Sequence, residues 1–183
     1  MFVRTDRLLL RPGWIEDAPA LARAITEPVA RNTARIPWPY TLDHAETYLG
    51  MEKDPHAPAC LIFVRTAGAP RLIGAVALSP DEHGHEIGYW LARPYWGLGF
   101  ATEAASALLR AAHGSLRIAR IHSGHFADNP ASGRVLRKLG FRPTGKMVRR
   151  PSVARGCDVD CLLYADADGQ WEETAAMRCL EAA

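Results

Sequence analysis

Hydrophobic positions along the chain switch between a period of two and a period near 3.6, and the switches mark out strands and helices. Thr5, Arg7 and Leu9 alternate against Leu8 and Leu10, so Phe2–Arg11 reads as a first strand. Ala18, Leu21, Ala22 and Ile25 then fall on one face of a helix over Glu16–Thr26, and Pro19 suits its first turn. Pro28–Tyr40 holds Pro28, Pro37 and Pro39 and reads as a loop. Thr41 is a candidate N-cap for a second helix, with Leu42, Ala45 and Leu49 at helical spacing. Ala59–Thr66 and Arg71–Ser79 read as a hairpin joined by Ala67-Gly68-Ala69-Pro70, and His85–Ala92 as the next strand, stopped by Pro94.

The longest apolar stripe follows. Ala101, Ala104, Ala105, Leu108, Leu109 and Ala112 predict a helix over Gly99–His113, ended by Gly114. Arg117–Phe126 reads as a strand. Asn129 as cap, Pro130 at the first position and Gly140 past the end punctuate a fourth helix carrying Val135, Leu136 and Leu139. Phe141–Arg150 and Asp158–Tyr164 read as antiparallel neighbours, and Trp171–Leu180 as a short terminal helix. The strand–helix–strand unit implies a right-handed parallel crossover, and the hairpins imply antiparallel pairs. The fold class is therefore α/β, with a mixed, mostly antiparallel sheet flanked by helices. With no internal repeat and no dividing linker, residues 1–183 read as a single domain.

Composition narrows the function classes. The 183 residues are 48% hydrophobic and 23% charged with a net charge of +2, which demands neither a nucleic-acid partner nor a membrane. No apolar run approaches the roughly 18 residues of a spanning helix, and the start of the chain lacks a secretory pattern. Cys60, Cys157, Cys161 and Cys179 have no paired zinc spacing, so they read as reduced thiols of a cytoplasmic protein. His83 with His85 and His122 with His125 gain no Cys or carboxylate at ligand spacing, so no metal is expected.

The densest chemical signal is the turn after the His85–Ala92 strand. Gly97-Leu98-Gly99 lets a ligand approach the backbone closely, and a helix N-terminus with unpaired N–H groups follows, which makes an anion site. A P-loop would need Lys-Ser/Thr where Phe100-Ala101 stand. A dinucleotide fingerprint would need a small residue at Thr102 and an acid near Arg117-Ile118-Ala119. The pyrophosphate of coenzyme A is the third option, and a plain structural turn is the fourth.

A second motif lies one helix and one strand downstream: Asn129-Pro130-Ala131-Ser132, Val135-Leu136 and Lys138-Leu139-Gly140-Phe141. Together the two resemble the GNAT superfamily of acyl-CoA N-acyltransferases. The family's Gln/Arg-x-x-Gly-x-Gly/Ala pattern maps onto Trp96 through Ala101, with Trp96 in place of Gln or Arg. Thr5-Asp6-Arg7-Leu8-Leu9-Leu10-Arg11, Tyr95-Trp96-Gly97, Ala101-Thr102-Glu103-Ala104 and Asn129-x-x-Ser132 resemble the RimJ/RimL-like branch, the ribosomal-protein N-terminal acetyltransferases. The resemblance spans about Thr5 to Tyr164.

The resemblance implies a GNAT fold whose central strands splay apart, with acetyl-CoA as co-substrate and a primary amine as acceptor. It implies direct attack of the amine in a ternary complex. Trp96, Gly97, Leu98, Gly99, Phe100 and Ala101 would hold the pyrophosphate. Trp90, Leu91 and Ala92 would meet the pantetheine arm and supply an oxyanion donor. Asn129 is an N-cap, a ligand to the coenzyme arm, or both. Many members place a Tyr where Leu136 stands here. Ser132 is the expected substitute hydroxyl near the sulfur, against the alternative of a local backbone bond. Glu86 is the candidate base, with His85 and His125 as alternatives.

The acceptor is less legible. Arg142, Lys146, Arg149, Arg150 and Arg155 make Phe141–Gly156 strongly basic, whereas Asp158, Asp160, Asp166, Asp168, Glu172 and Glu173 reverse the sign. These read as two solvated faces, or as a lining that repels a polycation. A peptide α-amine or a small primary amine fits best, recognised by the first helices and the loop of Trp38 and Tyr40. A homodimer is compatible with the exposed strand ends. The rival reading is a non-catalytic acyl-CoA sensor on the same fold.

Overall fold

The computed structural model describes residues 1–52 and 54–166. Cys179 and the terminal helix expected over Trp171–Leu180 lie outside the described residues. The rest forms one eight-stranded sheet in the order β1-β2-β3-β4-β5-β6-β8-β7. Its strands are β1 (Val3–Arg4), β2 (Leu8–Arg11), β3 (Ala59–Val64), β4 (Arg71–Asp81), β5 (Gly84–Leu91), β6 (Ile121–Phe126), β7 (Arg142–Ser152) and β8 (Cys157–Ala165). The helices are α1 (Ala18–Ala24), α2 (Glu27–Ala30), α3 (Leu42–Gly50), α4 (Phe100–Gly114) and α5 (Pro130–Lys138). Only β5 and β6 pair in parallel, across the α4 crossover, and every other pair is antiparallel.

Three sequence expectations need correction. The expected first strand is two short strands, because the chain reverses at Thr5–Arg7. The Thr5 hydroxyl accepts the Leu8 N–H at 2.9 Å and sets that turn. The expected loop over Pro28–Tyr40 overlaps one helical turn, α2, with Val29 and Ala30 buried. The strand expected from Arg117 starts at Ile121, since Arg117 takes a left-handed conformation with φ +54°. Period-two patterning runs through the first and third places without registering the break, and in the second Pro28, read as a loop signal, sits in the first turn of α2, where a proline is tolerated.

Strand alternation divides the core. Cys60 and Ile62 of β3 pack with Leu8, Leu10 and the Ala–Leu stripe of α4 on one face. Leu61 and Phe63 pack with Leu21, Ile25, Ala45 and Leu49 of α1 and α3 on the other. In β4 this parity flips. Val76 and Leu78 face α4 while Leu72, also even-numbered, faces α1 and α3. The cause is a bulge: Ile62 pairs with Gly74 and Phe63 with Leu72, so Ile73 is the extra residue. Gly74 at this kink cannot carry a side chain, because an added Cβ would sit 2.2 Å from the Trp90 carbonyl of β5. Among the described residues no helix is long and apolar enough to cross a membrane.

Candidate active site

The β5–β6 pair is short. Only His85 with Ile121 and Glu86 with His122 are in register, after which the strands diverge into a fork. Ser123 sits at its vertex and donates to the Ile87 carbonyl at 2.8 Å, replacing the ladder bond that the divergence removes. His85 donates its N–H to Arg120 on the β6 side, whereas Ala92 donates to Ile73 on the β4 side. Backbone direction alternates along a strand, so Tyr89 and Leu91 turn their N–H and C=O groups into the fork, and Trp90 and Ala92 turn theirs to β4. The backbone contacts expected at Trp90, Leu91 and Ala92 therefore narrow to Leu91, and Tyr89 joins it.

The glycine turn lies beyond the end of β5. Gly97 and Gly99 both have positive φ, +78° and +83°, and Gly99 is the N-cap of α4. A glycine cap has no side chain to bond the first-turn N–H groups, so those of Phe100, Ala101 and Thr102 are left for an external acceptor. The Phe100 ring is buried in the core, and only its backbone belongs to the turn. Leu98 exposes its side chain, while its carbonyl accepts from the Arg7 guanidinium at 3.1 Å. Trp96, the departure from the family pattern, donates its indole N–H to the Leu91 carbonyl at 2.6 Å, and Arg93 stacks over its ring. Its bond pins the glycine turn to the end of β5.

Across the fork, Asn129 caps α5 by accepting the Ser132 N–H at 3.4 Å. The Ser132 hydroxyl lies 3.0 Å from the Tyr89 phenol oxygen. Burial pushes the Tyr89 phenol up to about 12, so it is neutral across the physiological range. A cavity of about 520 Å³ runs from the glycine turn along the fork to α5, with Arg93, Arg134 and Lys138 on its walls.

A second cavity, of about 570 Å³, opens on the other side of β5. Ile25, Ile36, Tyr40 and Tyr48 give it an apolar wall, and Glu86 lies on its polar side. Glu86 is ion-paired with Arg150 of β7. Burial alone would lower the Arg150 pKa, but the Glu86 carboxylate reverses that and raises it. Among the candidate bases, His125 also lines this cavity, whereas His85 lines neither. The His125 Nδ1–H donates to the Phe126 carbonyl at 2.8 Å, and Nε2 faces Gly133 of α5. Trp38 of the aromatic loop is exposed and lines neither cavity, while Tyr40 lines the second.

Five residues line both cavities: Asn32, Thr33, Tyr89, Trp90 and Ser132. They form a junction between the groove that starts at the glycine turn and the pocket that holds Glu86. Asn32 and Thr33, Tyr89, Ser123 and Arg150 were not singled out from sequence. Tyr89 reads as an ordinary strand aromatic and Arg150 as one of a basic run. Two further charges of that run form ion pairs away from Glu86, Arg149 with Asp160 on β8 and Arg155 with Asp128. Among the described residues no three His, Cys, Asp or Glu side chains converge as metal ligands.

Comparison with known proteins places this geometry. The family model described as an acetyltransferase (GNAT) domain matches residues 7–142. An uncharacterized N-acetyltransferase of Bacillus subtilis, YoaA, is 26% identical over 183 aligned residues, covering 89% of this chain and 94% of the relative. A GNAT-family acetyltransferase structure from Bacillus anthracis superposes with a TM-score of 0.77 at 24% identity, over 93% of this chain and all of that one. A ribosomal-protein-S5-alanine acetyltransferase from Vibrio fischeri shares the fold at a TM-score of 0.76 and 19% identity, over 94% of this chain and 100% of that chain.

Proposed function

The chain belongs to the GNAT acetyltransferase family, an acetyl-CoA-dependent N-acetyltransferase, and from that premise we propose that it acetylates a primary amine by direct attack in a ternary complex. The observation that carries the reading is the five-residue junction between the two cavities. In this reading all of residues 1–183 act as one domain, in the cytoplasm with reduced thiols.

The residues present fit acetyl-CoA. First-turn amides of α4 with no capping side chain suit a diphosphate, with open space beside Gly97. Arg93, Arg134 and Lys138 add positive charge along the groove. Tyr89 and Leu91 turn backbone groups into the fork beyond the last β5–β6 pair, which suits the amides of pantetheine. When bound, the coenzyme supplies the acetyl thioester.

The chain's own residues then have three tasks. The backbone N–H of Leu91 or Tyr89 is placed to stabilise negative charge on the acetyl oxygen. The Ser132 hydroxyl donates to the departing sulfur. Glu86, paired with Arg150, takes the proton lost by the acceptor nitrogen, directly or through water.

The acceptor we favour is a peptide α-amine, with a small primary amine as the other member of the class. The Thr5–Arg11 stretch and the Asn129/Ser132 pair support the RimJ/RimL-like branch, as does the fold shared with the S5-alanine enzyme. Free-thiol release from acetyl-CoA, measured over a panel of short peptides and small amines, tests the reading. At least one acceptor should raise release well above the rate without acceptor, and Ser132→Ala should slow it by about 100-fold. Coenzyme binding without release across the panel would leave a sensor and overturn the proposal.

A further inference from the structure

Tyr89 lines both cavities and lies at the open fork, where pairing with Val76 of β4 fixes its backbone. Its phenol oxygen is 3.0 Å from Ser132 Oγ and 3.1 Å from the Ser132 carbonyl. The phenol has one hydrogen, so two arrangements exist. In the first, that hydrogen goes to the carbonyl and the Ser132 hydroxyl points back at the phenol oxygen. In the second, the phenol donates to Ser132 Oγ, and the Ser132 hydrogen is released to another acceptor.

We propose that Tyr89 is a positioning residue that turns the Ser132 hydroxyl hydrogen toward the thioester sulfur. The inference rests on the assignment of Ser132 made above. In the second arrangement the two hydroxyls form a directed chain, O–H to O–H to sulfur, and each donor polarises the next. Tyr89 and Ser132 both keep their protons, so the positioning adds nothing to the proton balance of the transfer. Burial suits Tyr89 to this work, because it holds the phenol protonated well above neutral pH. Ser132 alone could bond locally to its helix. With Tyr89 as a second partner, its hydroxyl has a fixed reason to face the junction.

The test titrates the thiol of free coenzyme A bound to the purified protein, by thiolate absorbance, with no acceptor needed. A hydrogen bond to sulfur stabilises the thiolate, so Ser132→Ala should raise the bound thiol pKa by about one unit, a tenfold change in thiolate fraction. Tyr89→Phe keeps the ring, and should give at least half that rise. The double variant should rise no further than Ser132→Ala. If Ser132→Ala leaves the thiol unchanged, the Ser132 assignment fails and this inference with it. If Ser132→Ala raises it but Tyr89→Phe does not, the inference alone fails. Should Tyr89→Phe fail to fold, difluorotyrosine at position 89, a stronger donor of nearly the same shape, should lower the bound thiol pKa, and no change there would overturn the inference.

Discussion

Arg7 reaches Glu103 across 96 positions of sequence, its Nε donating to the carboxylate at 2.7 Å. The same guanidinium donates to the Leu98 carbonyl and covers the Phe100 ring at 4.3 Å. Thr5 donates its hydroxyl to Glu103 as well. The turn between β1 and β2 thus clasps the glycine turn without lining the groove beside it.

Arg7→Ala is therefore expected to raise the KM for acetyl-CoA about tenfold while moving kcat by less than about twofold. Because Arg7 is half exposed, the melting temperature should change little. Steady-state kinetics alongside a thermal melt checks both halves.

The clasp also has a pH signature. Burial alone would raise the Glu103 carboxyl, but hydrogen bonds from Thr5 and Arg7 overcome it and hold it below its ordinary 4.5. A lowered carboxyl contributes fully above 4.5 and loses that contribution as pH falls through the folded value. Acetyl-CoA binding should weaken below pH 4.5 in the wild type. Glu103→Gln should bind more weakly at neutral pH and lose the part of the acid dependence that comes from this carboxyl.

Gly99→Ala tests the backbone conformation itself. Its Cβ would meet Arg7 at 3.5 Å, an ordinary contact, so the cost comes from φ +83° and is about 1–2 kcal/mol. The α4 amides would tilt to relieve it. Coenzyme Kd, measured by calorimetry, should rise more than the stability loss alone explains.

Asp17 carries a separate, structural prediction. It takes both ends of the Arg11 guanidinium, at 2.7 and 2.8 Å, and the Trp14 N–H at 2.9 Å. Arg11 is sandwiched between Trp14 and Phe63. Burial alone would raise the Asp17 carboxyl, yet these bonds hold it below 3.8, so its stabilisation fades only as pH drops under that value. Asp17→Asn should cost about 3 kcal/mol at neutral pH, since a buried guanidinium loses its counter-charge. Denaturant unfolding at pH 7 and pH 3 should find a smaller difference between variant and wild type at the lower pH.

Glu86→Gln addresses the proton. It should lower kcat/KM by at least about tenfold, measured by steady-state kinetics with saturating acetyl-CoA. A variant that keeps the wild-type kcat/KM would move the base to another group, with His125 next in line on the cavity wall.

Local chemistry was readable from the chain; long-range pairing was not. The glycine turn, the Asn129 cap and the α4 stripe are local patterns, and each sits where its residues imply. Thr5, Arg7, Leu98 and Glu103 stood out in the sequence as parts of separate motifs, but their pairing did not, and Asp17, the partner of Arg11, did not stand out at all. The order β6-β8-β7 joins segments whose patterns are alike, so alternation cannot rank them. The parity flip in β4 needed the one extra residue at Ile73, which no side chain announces. Tyr89 escaped notice because an aromatic in a strand is expected to pack, and its hydroxyl finds Ser132 only across the fork.

The fork has an evolutionary consequence. One side of the junction relies largely on peptide groups, which every substitution retains unless it bends the main chain. The other depends on the shapes and charges of Tyr40, Tyr48, Glu86 and their neighbours, which any single codon change can rewrite. A lineage built on this plan can trade one acceptor for another while its donor stays the same, and its members would diverge fastest where α2 leads into α3.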